Sequence, residues 1–97
     1  MSNFGIYYGR PSTVQKLTSG SSSSASSTFG ATTSVIMLVA RTHACHFQLG
    51  ASPTATTSSA FLPKNEIIYV KVSGGSDKIA VIREASSDGE VYVTELI

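Results

Sequence analysis

Hydrophobic and polar positions alternate with a period of two along the C-terminal third of the chain. Residues 66–72, 78–84 and 90–96 each follow this alternation. Because successive side chains of a β-strand point to opposite faces, the pattern predicts three strands. The intervening residues 73–77 and 86–89 are rich in Gly, Ser and Asp and predict turns, with Asp88-Gly89 as a hairpin signal. The inward positions form the predicted core: Ile68, Val70, Val72, Ile79, Val81, Val91 and Val93.

Two further strands are predicted in the middle of the chain. Residues 32–41 form an apolar, β-branched run typical of a buried strand. In residues 42–49, Cys45 shares one face with Phe47 and Leu49. No stretch has the apolar spacing of an amphipathic helix, so we expect little or no helix. Short strands separated by turn clusters predict an all-β fold, a small antiparallel β-sandwich or a jelly-roll-like barrel.

The two faces of several predicted strands are both apolar. One face fills the core, so the other needs a partner surface, and we therefore expect a homo-oligomer.

The N-terminal region differs from this β pattern. We divide the chain into an N-terminal arm at 1–18, a Ser-rich flexible linker at 19–29 and a β-sandwich body at 30–97. A tethered, aromatic-bearing segment is expected to dock on its own body, on a sister copy or on another protein. Aromatic and large apolar side chains supply most contact energy at interfaces. The predicted arm anchors are Phe4, Ile6, Tyr7 and Tyr8.

The composition shows that the whole chain is poor in charged residues. The 97 residues are one domain at most, and 13% are charged, about half the usual ~25%. No acidic residue precedes Glu66, so residues 1–65 carry a net charge of +4 and residues 66–97 a net charge of −3. Opposite-sign segments suit internal pairing or head-to-tail association of copies. Four dilute positive charges do not favour nucleic-acid binding.

Compartment signals are consistent with a cytoplasmic origin. The single cysteine, Cys45, allows no intrachain disulfide. The first residues lack the basic and apolar regions of a signal peptide. The longest apolar run is the six residues 35–40, too short to cross a bilayer. We therefore expect a protein made in a reducing cytoplasm, without a membrane partner.

Candidate chemistry is sparse. His43, Cys45 and His46 are the one cluster of metal-ligand types, one short of the four ligands of a structural zinc site. A Cys–His pair also needs a third group to orient the base, and no acidic residue is near in sequence. Glu84 and Glu90 could meet across the predicted Asp88-Gly89 hairpin, where solvation argues against acid–base work. We expect no catalytic, cofactor-binding or metal site, and no enzyme.

The order of predicted strands and turns along the chain resembles that of a known protein family. The segments that carry the resemblance are 34–40, 44–50, 53–56, 61–63, 66–72, 77–82 and 88–96. In this succession, residues 34–97 are similar to small decoration or cement proteins of tailed bacteriophages. The resemblance is one of strands and turns, and the arm and linker lie outside it.

The resemblance implies a capsid decoration protein, made in the host cytoplasm, that binds the outside of the shell. Its partners would be the major capsid protein and one or two further copies of itself, as a dimer or trimer. An alternative is a tail or head-fibre component, a module of the virion that binds carbohydrate or another protein. A protein that stabilises a capsid has to bury surface against it and does not have to catalyse a reaction. This agrees with the small number of candidate catalytic residues.

Overall fold

Eight β-strands make up the protein in this computed structural model, which describes residues 9–97. Within that range there is no helix, and accordingly none long and apolar enough to span a membrane. The strands are β1 (Pro11–Ser19), β2 (Ser24–Ala25), β3 (Val35–Arg41), β4 (Cys45–Gly50), β5 (Ala60–Leu62), β6 (Ile67–Lys71), β7 (Lys78–Arg83) and β8 (Gly89–Leu96).

The strands form two antiparallel four-stranded sheets. The first sheet has the order β1-β8-β3-β6 and the second the order β2-β7-β4-β5. The pairs β1–β8, β2–β7, β3–β6 and β4–β5 are those of a long hairpin rolled onto itself. This is the strand order of a jelly roll, a two-sheet sandwich of eight strands. The predicted all-β sandwich is confirmed.

The apolar core lies between the two sheets. Strand β3 shows why its sequence becomes a strand: Ile36, Leu38 and Ala40 are fully buried, and the residues between them are partly exposed. All seven predicted core residues lie in the core or pack against it. The sequence had not assigned the following buried members to the core: Phe29, Ile36, Leu38, Ala40 and Leu62.

The predicted hairpin at Asp88-Gly89 is wrong. Strand β7 belongs to the second sheet and pairs with β2 and β4, whereas β8 lies between β1 and β3 in the first sheet. Residues 84–88 therefore cross from one sheet to the other, a gap of ~10 Å that five residues span readily. Glu84 and Glu90 accordingly do not face each other across a hairpin.

The predicted arm and linker have to be shortened. Pro11–Ser19 is the edge strand β1 of the first sheet, with Val14 paired to Thr94 and Ser19 to Gly89. Ser24–Ala25 pairs with β7 in the second sheet. Phe29, at the end of the predicted linker, is 1% exposed in the core. The Ser-rich segment therefore follows the sheets closely, and the rest of the arm, residues 1–8, lies outside the described residues.

A buried carboxylate ties the crossing between β2 and β3 to strand β8. Glu95 is 4% exposed, and its Oε1 accepts hydrogen bonds from the backbone N–H of Gly30 (2.9 Å) and from Thr33 Oγ1 (2.7 Å). Burying a carboxylate is costly unless donors replace its water. These two donors supply that replacement, so the interaction holds the 29–34 segment against the core.

Replacing Glu95 by Ala should lower the free energy of unfolding by about 2–4 kcal/mol, because it leaves the buried Thr33 hydroxyl and Gly30 N–H without an acceptor. Glu95→Gln, which keeps an acceptor oxygen, should lose less. Urea denaturation measures both. Glu90→Ala is the control, since the exposed Lys16–Glu90 pair at 3.6 Å is worth about 1 kcal/mol or less. Equal losses for Glu95→Ala and Glu90→Ala would contradict the anchoring role.

Candidate functional site

The first of two candidate surface features is an open cleft at one end of the sandwich. The cleft has a volume of about 410 Å³. It forms where the β3–β4 turn meets the crossing between β7 and β8, beside the end of β1. The residues that line it are Thr18, Thr42, His43, Asp88, Gly89 and Glu90. Its lining combines hydroxyl, imidazole and carboxylate groups, none of which the sequence pattern brings together.

His43 has a defined orientation in this cleft. Its Nδ1 lies 2.9 Å from the backbone carbonyl oxygen of Asp88. A carbonyl oxygen can only accept, so Nδ1 donates and the neutral ring keeps Nε2 as an acceptor. Gly89 makes this approach possible, because a Cβ there would lie 3.1 Å from the His43 carbonyl oxygen. The imidazole thus braces two turns against each other.

The carboxylates of the cleft are already paired with cations. Asp88 Oδ1 accepts a hydrogen bond from Arg83 Nη1 at 2.7 Å, and Glu90 Oε2 lies 3.6 Å from Lys16 Nζ. Neither carboxylate contacts His43 through its side chain in the hydrogen bonds of the described residues. Within residues 9–97, no group of three or more His, Cys, Asp or Glu side chains is arranged to hold a metal ion. The cleft is therefore a junction between the two sheets at which the polar side chains already bind other groups of the protein.

The two other residues of metal-ligand type in this stretch, Cys45 and His46, point to opposite sides of the second sheet. Cys45 is fully buried in the core, and desolvation raises the pKa of its thiol from 9.0 to about 11. His46, the next residue, lies on the outer side of the second sheet, where its ring meets Phe61 edge-on at 5.4 Å. Its Nδ1 lies 2.9 Å from the Ser59 carbonyl oxygen. The alternation along β4 therefore separates the thiol from this imidazole.

The second feature is the side of the first sheet that faces away from the core, which we call the outer face. The register places three rows of side chains across four strands there. The apolar or weakly polar side chains of the outer face are Val14, Val35, Met37, Val39, Ile67, Tyr69, Tyr92, Thr94 and Leu96. At strand spacings of ~4.8 Å and rows two residues apart, they cover roughly 300–400 Å².

The most exposed side chains of the outer face lie on its two edge strands, with Val14 on β1 58% exposed and two others on β6. Ile67 is 59% exposed and Tyr69 is 43% exposed, side by side on this edge strand. The largest exposed apolar patch of a soluble protein is often a functional surface. Charged side chains surround the patch: Lys71 at one end of β6, Lys16 on β1, and Arg41 opposite Glu90 at the far end. An apolar centre with a polar rim is the arrangement found at protein–protein interfaces.

The sequence pattern predicted part of the outer face, and contact of this face with a partner stays a prediction. The two apolar faces of residues 66–72 predicted a contact surface, and the structure shows that Ile67 and Tyr69 lie on the outer side of the sheet. The participation of Val14 and Met37 depends on the β1–β8 and β3–β6 pairings, which no local pattern specifies. The predicted arm anchors Phe4, Ile6, Tyr7 and Tyr8 lie outside the described residues.

Comparison with known protein families, characterised proteins and solved structures finds no match to this chain.

The buried position of Cys45 leads to a direct expectation about thiol reactivity. At pH 8 the native protein should react with iodoacetamide at least roughly a hundredfold more slowly than the same protein in denaturant, because the thiolate is the reactive form and the thiol is both shielded and protonated. Mass spectrometry of timed samples measures the rates. Rapid labelling of the native protein would contradict the core position of Cys45.

Proposed function

We propose that the protein is a structural component of a bacteriophage virion, a decoration protein that binds the outside of the major capsid shell and stabilises it. The observation that carries this proposal is the outer face of the first sheet, an apolar surface with a charged rim on a rigid sandwich. A rigid sheet presents such a surface without further ordering on binding, which lowers the cost of association.

The jelly-roll strand order supports the proposal. The order β1-β8-β3-β6 over β2-β7-β4-β5 agrees with the β-sandwich that the resemblance to phage decoration proteins implies. Jelly rolls occur in viral capsid proteins, in lectins and in enzymes, so the fold is compatible with this role without selecting it. Evidence that distinguishes this role from the others has to come from the surface of the protein.

The chemistry of the surface supports binding rather than turnover. The cleft holds His43 and Asp88 in contacts that brace two turns, and the Cys45 thiol is shielded in the core. The outer face exposes Ile67 on an edge strand, where it is 59% exposed. Side chains of this kind contribute to affinity when a partner removes them from water.

The charge distribution at the rim of the outer face favours an acidic partner surface. The rim of the outer face carries Lys16, Lys71 and Arg41, and in the described residues its acidic member is Glu90. A partner that presents carboxylates around an apolar patch would be steered to this rim. If such a patch is repeated over a shell, each bound copy of the protein buries the same area. Contacts between adjacent bound copies would add to that buried area.

Ile67→Lys should weaken binding to empty, expanded shells of the encoding phage that lack this protein at least roughly tenfold, because the variant places a charge in an apolar contact. Cosedimentation with the shells, with bound copies counted, measures the affinity. Gln48→Lys is the matched control: it adds the same charge at an exposed position of β4 in the second sheet and should bind as the unchanged protein does.

Two results would overturn the proposal. The first is equal binding of the Ile67→Lys and Gln48→Lys variants, which would remove the outer face from the contact. The second is no stoichiometric binding of the unchanged protein to the shells, together with binding to a glycan array, which would favour the carbohydrate-binding alternative. Because Ile67 is 59% exposed, the substitution leaves the core intact, and a matching unfolding midpoint verifies the fold.

A further inference from the structure

The edge strands of the two sheets differ in how well they are protected against pairing with another chain. The edges are β1 and β6 in the first sheet and β2 and β5 in the second. Strands β2 and β5 have two and three residues, which offer little to a further strand. Strand β1 begins with Pro11, shifts its register before Val14 and carries the exposed Lys16. Short strands, proline, irregular register and lysine all keep natural sheet edges from associating, so these three edges are protected.

Strand β6 has a more regular edge than the other three. Its five residues contain no proline and pair with β3 in one continuous register. Ile67, its first residue, is 59% exposed, and its one charged residue, Lys71, comes last. A regular edge strand with an exposed apolar side chain is a template for a further strand. Among the four edges of the described strands, β6 is therefore the one suited to pairing.

The hydrogen bonds between β3 and β6 show which backbone groups of β6 point away from β3. The N–H of Val72, the residue after β6, donates to the carbonyl oxygen of Ser34 at 2.9 Å. Successive residues of a strand turn their backbone groups to opposite neighbours, so the even-numbered residues of β6 also face β3. Ile67 and Lys71 then direct their N–H and C=O groups away from it. A further strand can bind these groups without disturbing the β3–β6 ladder.

We propose that β6 pairs antiparallel with β6 of a second copy of this chain, which joins two first sheets into one continuous sheet. The register that aligns all five residues places Ile67 of each copy opposite Lys71 of the other. Each of these two pairs exchanges two backbone hydrogen bonds. The aliphatic stem of the lysine lies beside Ile67 and removes part of that side chain from water. The arrangement is two-fold symmetric, so it closes after two copies.

The charges and side chains of β6 are complementary to a second copy in this orientation. The acidic Glu66 precedes the strand and the basic Lys71 ends it. An antiparallel copy brings these unlike ends together, whereas a parallel copy sets lysine beside lysine, which is unfavourable. On the inner side, Ile68 comes to lie opposite Val70 of the second copy, and both side chains are partly buried apolar residues packed against the core. The strand is therefore a suitable partner for itself.

Edge pairing would double the surface that the protein presents to a partner. The outer face of one copy covers roughly 300–400 Å², less than the ~800 Å² per partner of a standard interface. A two-fold axis perpendicular to the sheet keeps both outer faces on the same side, so the pair presents roughly 600–800 Å². The two short edges bury less than a standard interface, so we expect a weak dimer that depends on protein concentration. This pairing is separate from capsid binding and does not rest on it.

Disulfide cross-linking of the full chain tests the pairing and its direction. Ile67→Cys combined with Lys71→Cys should form covalent dimers under mild oxidation, because directly opposite residues lie within disulfide reach. Each single variant should form at least roughly tenfold fewer dimers, since the two copies of one position lie four residues, or ~13 Å, apart. Val14→Cys combined with Thr18→Cys is the matched control, with the same spacing at exposed positions of β1, and should form few dimers. Non-reducing electrophoresis measures the dimer fraction.

Removal of one backbone donor tests the hydrogen bonds themselves. Lys71→Pro should raise the dissociation constant of the dimer at least roughly tenfold, because proline has no N–H and the N–H of Lys71 points away from β3. Lys71→Ala keeps that N–H and should change the constant less. Sedimentation equilibrium measures both constants, and matching unfolding midpoints verify that the variants are folded.

The pairing proposal fails in any of three cases. Ile67→Cys alone could cross-link as well as the double variant, which would indicate parallel pairing. The double variant could cross-link no more than the β1 control, which would show that β6 does not pair with a second copy. Lys71→Pro and Lys71→Ala could have equal effects, which would remove the backbone hydrogen bonds from the contact. All of these measurements are made without shells, so their failure leaves the capsid proposal untouched.

Discussion

The position of β8 between β1 and β3 is the constraint on which the rest of the structure depends. Its inward residues Val91 and Val93 fill the core, and Glu95 holds the 29–34 crossing through two hydrogen bonds. Its outward residues form the centre of the outer face. Because β8 ends the described chain and pairs with β1 near its start, the first sheet closes only when distant parts of the sequence meet. In a chain with one cysteine, this closure and the apolar core supply the cohesion that a disulfide gives other small domains.

The sequence predicted what is local in this fold and missed what is distant. Alternation identified the inward faces of β6, β7 and β8, because a half-buried strand shows its two sides in one short segment. Strand β1 has no such signal, since its pairing with β8 decides its structure. The Asp88-Gly89 turn misled for the related reason that turn chemistry does not specify which strands pair. Phe29 was misassigned because its neighbours suit a linker while its own side chain fills the core.

In the candidate site, too, the sequence predicted local features and missed those that depend on distant strand pairing. The alternation in residues 66–72 predicted two apolar faces, and Ile67 and Tyr69 are exposed on the outer one. Contact of that face with a partner stays a prediction. The extent of the outer face could not be predicted, because it depends on the register of three strand pairs. The residues of metal-ligand type at 43–46 are separated for a geometric reason. Neighbouring strand residues point to opposite sides, so Cys45 entered the core and His46 the surface.

These features together describe a two-sheet sandwich whose first sheet carries an apolar outer face. We propose that the outer face of the first sheet contacts the capsid. A cryo-electron microscopy reconstruction of shells carrying the bound protein tests it most directly. We expect the β6 and β3 side of the first sheet, including Ile67, to contact the shell and the second sheet to point outward. Density with the second sheet against the shell, or shells without bound protein, would contradict it.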